Sequence, residues 1–279
     1  MVRPASVAAS AMTSGKQRGI RAMEVGGELL RHLADAGRPV SMAELSEAAR
    51  LPLNQVFTYV VSLTRTGLVR RDTVTHRLEP GPLLLSLGLH AIALHPMIRL
   101  ACDRATALAA TTRFGVFVSL WADRGPTLVK YLSADTYVHT GLHVGSVMSL
   151  TQSSTGRLFA AYLPRERVAP FLDVEIDRHG GAARRKLSDE FDAMCADIRT
   201  QGLARTQGLP IPGVDSMSAP IFDGEGQLAV GITMFGRTGE IDIAFDGAPA
   251  HALRALQDAS HAAVERRPAG SPEDRAVVF

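Results

Sequence analysis

The stretch Ser41-Met42-Ala43-Glu44-Leu45, continued through Leu51-Pro52 and on to Gly67-Leu68-Val69, decides how the front of the chain folds. Ser41 and Glu44 have the spacing of a capping box, in which each side chain satisfies the other residue's backbone N–H. A short helix is expected from Met42 to Ala49, with Leu45 buried. Leu51-Pro52 makes a turn, and Pro52 suits the first position of a following helix, where its missing N–H is not needed. That next helix is expected from Pro52 to Thr66. Val56, Val60 and Leu63 share one face at i, i+4 and i+7. The opposite face carries Asn54, Thr58, Val61 and Arg65, with Gln55 and Ser62 beside it. Gly67 ends the helix.

Upstream, Ile20, Met23, Leu30 and Leu33 recur at helical spacing, so residues 18–35 are expected to form a first helix, stopped at Gly37-Arg38-Pro39. Downstream, Leu68 to Arg71, a polar turn at Asp72 to Thr75, and His76-Arg77-Leu78 read as a hairpin. Three helices and a hairpin within residues 16–80 make a winged helix-turn-helix. A helix fits the major groove of DNA, where amides and hydroxyls meet base edges. The candidate DNA-contacting residues are Ser41, Asn54, Gln55, Thr58 and Arg65. On the wing, Arg70, Arg71 and Arg77 are placed to neutralise phosphates. The same pattern also fits a small helical domain with a solvated face.

The charge distribution agrees with a DNA-binding head. Residues 16–80 hold ten Lys/Arg against seven Asp/Glu, and the remainder beyond residue 80 is mildly acidic, within a net charge of +2. The 46% hydrophobic content supports a real core, while aromatics make up only 5%. No run approaches the roughly 18 apolar residues of a membrane span, so a cytoplasmic protein without membrane contact is expected. Residues 1–15 read as a disordered arm, with no secretory pattern. The cysteines, Cys102 and Cys195, lie far apart and form no zinc spacing.

From Gly81 to Leu94 runs a leucine-rich helix that is apolar nearly all round: Leu83, Leu84, Leu85, Leu87, Leu89, Ile92 and Leu94. Such a surface needs cover, from a second copy of the chain or from the chain itself. Residues 81–96 are taken as a linker helix, broken at Pro96. Beyond it, a helix to Thr111 precedes strands at Gly115 to Trp121 and Thr127 to Leu132. Helices at Ser154 to Leu163 and Leu187 to Thr200 follow, then strands at Ser216 to Phe222 and Gln227 to Phe235. The two strands are joined by Asp223-Gly224-Glu225-Gly226. A last helix covers Ala248 to Arg266. The class is α+β, with a second domain over residues 97–267 and a flexible tail over 268–279.

Three motifs in order carry a resemblance over nearly the whole chain. Arg38 to Leu45, through Leu51-Pro52 to Gly67-Leu68-Val69, is similar to the DNA-binding head of the IclR family of bacterial transcriptional regulators. His143-Val144-Gly145-Ser146, through Ser154-Thr155-Gly156-Arg157 to Tyr162-Leu163-Pro164, resembles that family's central signature. Gly213 to Asp223, with Gly226 and Gly231-Ile232-Thr233, resembles its paired pocket strands. The resemblance implies a GAF-like α/β effector-binding domain behind the winged head, and a homodimer or dimer of dimers. It also implies a double-stranded DNA operator and a small organic effector, often a carboxylate or aromatic catabolite. A ligand-responsive regulator of metabolic or catabolic genes, acting as a repressor, is the function implied. Relatives usually begin the recognition helix with Lys-Ser-Thr and carry Arg one turn on; here Leu53, Asn54, Gln55 and Thr58 stand there. Ser149 and Thr151 replace a common Pro and a common His.

The candidate effector site starts where Ser153, Ser154, Thr155 and Gly156 open a helix, because free N–H groups and the helix dipole attract an anion. Gly156 is expected to let the ligand approach the backbone. Asp215 and Ser216 on one strand and Thr233 on its neighbour are candidates for polar ligand groups. Met148, Leu150, Met217 and Ile232 are expected to form an aliphatic wall. His139, His143 and His179 match no metal motif, and no nucleophile, phosphate-loop or metalloprotease pattern is present. No cofactor and no catalytic activity are expected. The alternative is a small-molecule-binding GAF-like protein or enzyme whose helix-turn-helix has lost DNA affinity.

Overall fold

The computed structural model describes residues 19–133, 138, 140–176 and 181–265. The expected arm, His139, His179 and the expected tail lie outside them. The chain divides between Leu94 and His95 into two compact units.

The front unit holds α1 (Arg21–Ala36), α2 (Met42–Ala49), α3 (Leu53–Arg65), the strands β1 (Val69–Arg71) and β2 (Leu78–Pro80), and α4 (Pro82–Leu94). Its core is Leu29, Leu33, Val40, Leu45, Val56, Val60, Leu63, Val69 and Leu78. The capping box forms as expected: Glu44 N–H donates to Ser41 Oγ at 3.2 Å, and Ser41 N–H donates to Glu44 Oε2 at 2.7 Å. The inward face of α1 differs from the expected one. Val25, Leu29 and Leu33 are buried, whereas Ile20 and Met23 are exposed. Ile20 precedes the first turn, and the i, i+4, i+8 stripe is the one that meets α2 and α3.

The wing turn is longer than the sequence suggested, so β2 begins at Leu78 rather than His76. Asp72 Oδ1 accepts from the N–H groups of Val74 and Thr75 and from Thr75 Oγ1, which closes the turn on itself. Val40 bridges Leu78 and adds a third short strand segment. The start of α4 is pinned to the end of α3, because Leu83 N–H donates to Gly67 O at 3.0 Å. Gly81 lies so close that a Cβ there would collide with the Gly67 carbonyl. Along the rest of α4, no residue is buried.

The rear unit holds α5 (Pro96–Thr112), β3 (Gly115–Ala122), β4 (Gly125–Leu132), α6 (Ser154–Tyr162), α7 (Arg165–Ile176) and α8 (Gly181–Gln201). It continues with β5 (Ala204–Thr206), β6 (Val214–Phe222), β7 (Leu228–Arg237) and α9 (Ala248–Glu265). The five strands lie in the order β4-β3-β7-β6-β5, each pair antiparallel. Helix α6 packs on one face, with α7 and α8 beyond it, and α5 and α9 pack on the other. This is the expected α+β arrangement. Two of its elements, α7 and β5, had no counterpart in the sequence reading.

Candidate nucleic-acid interface and effector site

The candidate DNA residues are spread over a frame that the capping box orders. Asn54, Gln55, Thr58 and Arg65 are all exposed on α3. Two of their polar groups already have partners: Asn54 Oδ1 accepts from Gln55 N–H at 2.9 Å, and Thr58 Oγ1 donates to Asn54 O at 3.1 Å. Ser41 serves as the cap of α2. The wing arginines are less free than their number suggests. Arg70 pairs with Glu79 at 3.1 Å, and Arg71 Nε donates to His76 O. Arg77 pairs with Glu44 at 3.1 Å and donates to Pro39 O. Glu44 also holds Arg38 at 2.8 Å. The Ser41 N–H, helped by Arg38, holds the Glu44 carboxyl down at about 2.

In the rear unit, strand alternation divides the candidate effector residues between two faces. Ser216 pairs with Phe235, and Ser218 with Thr233, which in turn pairs with Phe117. These residues face α6, as does Gly231, where a Cβ would meet Leu158 and Phe159. Asp215, Met217 and Ile232 therefore face away from α6. Asp215 is buried there and structural, since its Oδ1 accepts from Gly208 N–H at 2.8 Å and Thr238 Oγ1 at 2.7 Å. The sequence reading took neighbours in sequence, and neighbours on a strand point to opposite sides.

The hydroxyls that do meet form one continuous chain. Thr155 bonds Thr233 at 2.9 Å, Thr233 bonds Ser218 at 2.7 Å, Ser218 donates to Ser154 at 2.8 Å, and Ser154 bonds Ser216 at 2.8 Å. Ser216 then bonds Thr206 at 2.8 Å, and Thr206 donates to the Leu209 carbonyl at 3.1 Å. Each hydroxyl has a single proton. The Thr206 proton goes to the carbonyl, so Ser216 donates to Thr206 and Ser154 to Ser216. The Ser218 proton goes to Ser154, so Thr233 donates to Ser218 and Thr155 to Thr233. The direction is thus fixed from Thr155 to Leu209, and every proton in the chain is committed. These hydroxyls tie α6 to β5, β6 and β7. Ser218 and Thr206 were missed, although Ser218 is two residues from Ser216 and alternation points to it.

The start of α6 is held from both sides. Ser153 Oγ caps it by accepting from Gly156 N–H at 2.9 Å. Gly156 admits the chain's own loop rather than a ligand, because a Cβ there would collide with the Ser149 carbonyl. Glu175 of α7 clamps that loop. Its carboxylate accepts from Ser149 Oγ and Leu150 N–H at 2.8 Å, from Thr151 N–H at 3.1 Å and from Thr151 Oγ1 at 2.7 Å. The two departures from the family pattern, Ser149 and Thr151, thus share one partner. The N–H groups of Ser154 and Thr155 open the helix, where its own ladder offers no acceptor.

On the sheet face that carries Ser216 and Thr233 lies an apolar cluster of Phe117, Leu128, Met148 and Phe235, with Tyr131, Val138, Leu142 and Val214 packed against it. Met148 belongs here, whereas Leu150 packs in a separate core with Trp121, Leu158 and Phe159. The expected aliphatic wall is corrected accordingly: few as the aromatics are, three gather at this place. Phe235 lies 5.8 Å from Phe117 and 5.5 Å from Tyr131, centroid to centroid. Tyr131 Oη bonds Thr140 Oγ1 at 3.1 Å, tying the residues after β4 to the cluster.

Among the described residues, no group of three or more His, Cys, Asp or Glu is placed to hold a metal ion, and no single helix is long and apolar enough to cross a membrane. The model of the IclR helix-turn-helix domain matches residues 22–73, and that of the bacterial transcriptional regulator IclR C-terminal domain matches residues 89–261. The chain is similar to the glycerol operon regulatory protein of Streptomyces coelicolor, 25% identical over 207 residues that cover 74% of this chain and 80% of that one. It is also similar to the solved structure of Pseudomonas aeruginosa HmgR, 30% identical, covering 88% and 98% of the two chains at a TM-score of 0.55. An IclR homolog from Microbacterium hydrocarbonoxydans, solved with 4-hydroxybenzoate, shares the fold at a TM-score of 0.70 and 14% identity, covering 88% of this chain and 100% of that one. The chain belongs to the IclR family of bacterial transcriptional regulators.

Proposed function

We propose that this regulator acts in the cytoplasm as a homodimer that binds a pseudo-palindromic operator and represses metabolic or catabolic genes until a compact organic effector binds. The observation that carries this reading is the exposed polar face of α3, set on a capped helix-turn-helix and joined to a separate sensing unit. A two-fold pair of such heads reads two half-sites. Regulation, with no reaction catalysed, accounts for both units.

The effector site proposed is the aromatic compartment of Phe117, Tyr131 and Phe235 beside the N–H groups of Ser154 and Thr155. Because the hydroxyl protons are committed, an effector carboxylate takes its hydrogen bonds from the backbone and its hydrophobic contact from the rings. The 4-hydroxybenzoate bound by the Microbacterium homolog is a molecule of this kind. A thermal-shift screen of small aromatic and aliphatic acids, followed by gel shifts on genomic fragments at low salt, tests both halves. A hit is expected to raise the unfolding temperature and to release DNA, since only a ligand with unequal affinity for two states shifts them. Absence of binding to any fragment at low salt contradicts the operator reading.

A further inference from the structure

The polar residues of α3 do not account for two large apolar side chains that it exposes. Leu53 is 52% exposed and Phe57 53% exposed. They stand at i and i+4 on the first two turns, on a flank next to Asn54 and Thr58. The head's core is closed without them by Val56, Val60 and Leu63. A single surface hydrophobic residue needs no explanation. Two in register on the helix that a helix-turn-helix presents to DNA are a different matter.

The rest of that helix narrows what the pair meets. From Leu53 to Thr64, α3 carries no charged side chain; Arg65 stands at its end. The bidentate arginine or lysine contact that recognises guanine is therefore absent from these turns. Thr58 has its proton committed to the Asn54 carbonyl, so toward a base its hydroxyl can only accept, beside its methyl group. What the first two turns offer a groove is an amide or two and apolar surface. The thymine methyl is the apolar group on the major-groove edge of the base pairs, and Asn or Gln pairs with adenine.

We infer that Leu53 and Phe57 read thymine methyl groups, so that the part of each half-site beneath the start of α3 is built of A·T pairs. The inference rests on the reading that α3 enters the major groove. It adds two specificity-determining residues to Asn54, Gln55 and Thr58, and it names the base composition they select.

The test uses the full chain and a random double-stranded pool. Duplexes enriched by the parent protein are resynthesised with uracil in place of single thymines, which removes one methyl and keeps the base pairing. Each contacted methyl is expected to weaken binding about fourfold on replacement, the equivalent of one buried methylene-sized group. In the Leu53→Ala, Phe57→Ala double variant, thymine and uracil duplexes are expected to bind alike. Unfolding temperature and sedimentation check that this variant is folded and assembled like the parent. Enriched sites rich in G·C at these positions, or uracil substitution without effect on the parent, overturn the inference and leave DNA binding standing. A double variant that falls to a smaller species overturns it as well, because the pair then covers a second copy of the chain. If no duplex is enriched, the operator reading itself fails, and this inference fails with it.

Discussion

Glu44 concentrates the electrostatics of the head in one carboxylate. It receives the Ser41 N–H and two guanidinium groups, those of Arg38 and Arg77, and both arginines also reach the Pro39 carbonyl. The acid that completes the cap thereby also pairs two cations of the head. Replacing Glu44 by Gln preserves the cap acceptor and removes the charge. In Glu44→Gln, the slope of log affinity against log salt for nonspecific DNA is expected to steepen by about 0.9 for each guanidinium that then reaches a phosphate. An unchanged slope shows that Arg38 and Arg77 stay where they are. The lowered pKa of Glu44 also has a sign in acid. Its contribution to stability is full above the ordinary carboxylate value and is lost as pH falls toward about 2. The Ser41–Glu44 box was legible because its spacing is local. The hold on Arg77 was not, since that partner lies 33 residues away.

At the level of elements, α6 is positioned by α7. Glu175 on α7 gathers four donors from residues 149–151, and this loop seats against Gly156 so closely that no side chain fits there. Removing a charged acceptor from several donors costs about 1.5–3 kcal/mol. Glu175→Ala is accordingly expected to lower stability by about that amount in denaturant unfolding, and to weaken any effector found in the thermal screen. Glu175→Gln, which keeps one acceptor oxygen, is expected to recover part of both. If the Ala variant retains the parent's stability and affinity, the clamp has no part in placing α6. Nothing local in the sequence announced this clamp, because α7 carries Pro170 in its interior and so breaks a helical reading. The strands β3, β6 and β7 were legible from their apolar residues and the turn at Asp223 to Gly226. Their facing was legible too, by alternation, but Asp215, Met217 and Ile232 were read with Ser216 and Thr233, although an odd step along a strand separates them.

For the molecule as a whole, the unanswered demand is the apolar surface of α4. Leu83, Leu87 and Leu94 form one stripe, and Leu85 and Leu89 form another, 66% and 58% exposed. Apolar surface gains about 25 cal/mol per Å² when it leaves water, and here no residue of the helix is fully buried, with only Leu84, Ala91 and Ile92 half-buried. In the homodimer proposed above, a second copy would supply matching stripes under two-fold symmetry, since an isologous contact pairs the same patch with itself. The same pairing would set two copies of α3 at a fixed spacing, as the proposed pseudo-palindromic operator requires. Assembly and operator affinity are therefore expected to fail together. In Leu85→Lys with Leu89→Lys, sedimentation at micromolar concentration is expected to give a monomer near the chain mass of 29.8 kDa. Gel shifts are expected to show a loss of specific affinity, with weak, salt-sensitive nonspecific binding by the single head retained. The substituted positions are exposed, so the head's core remains intact and the unfolding temperature of the monomer can be measured directly. A double variant that sediments and binds like the parent assigns the dimer contact to another surface and leaves α4 without a partner.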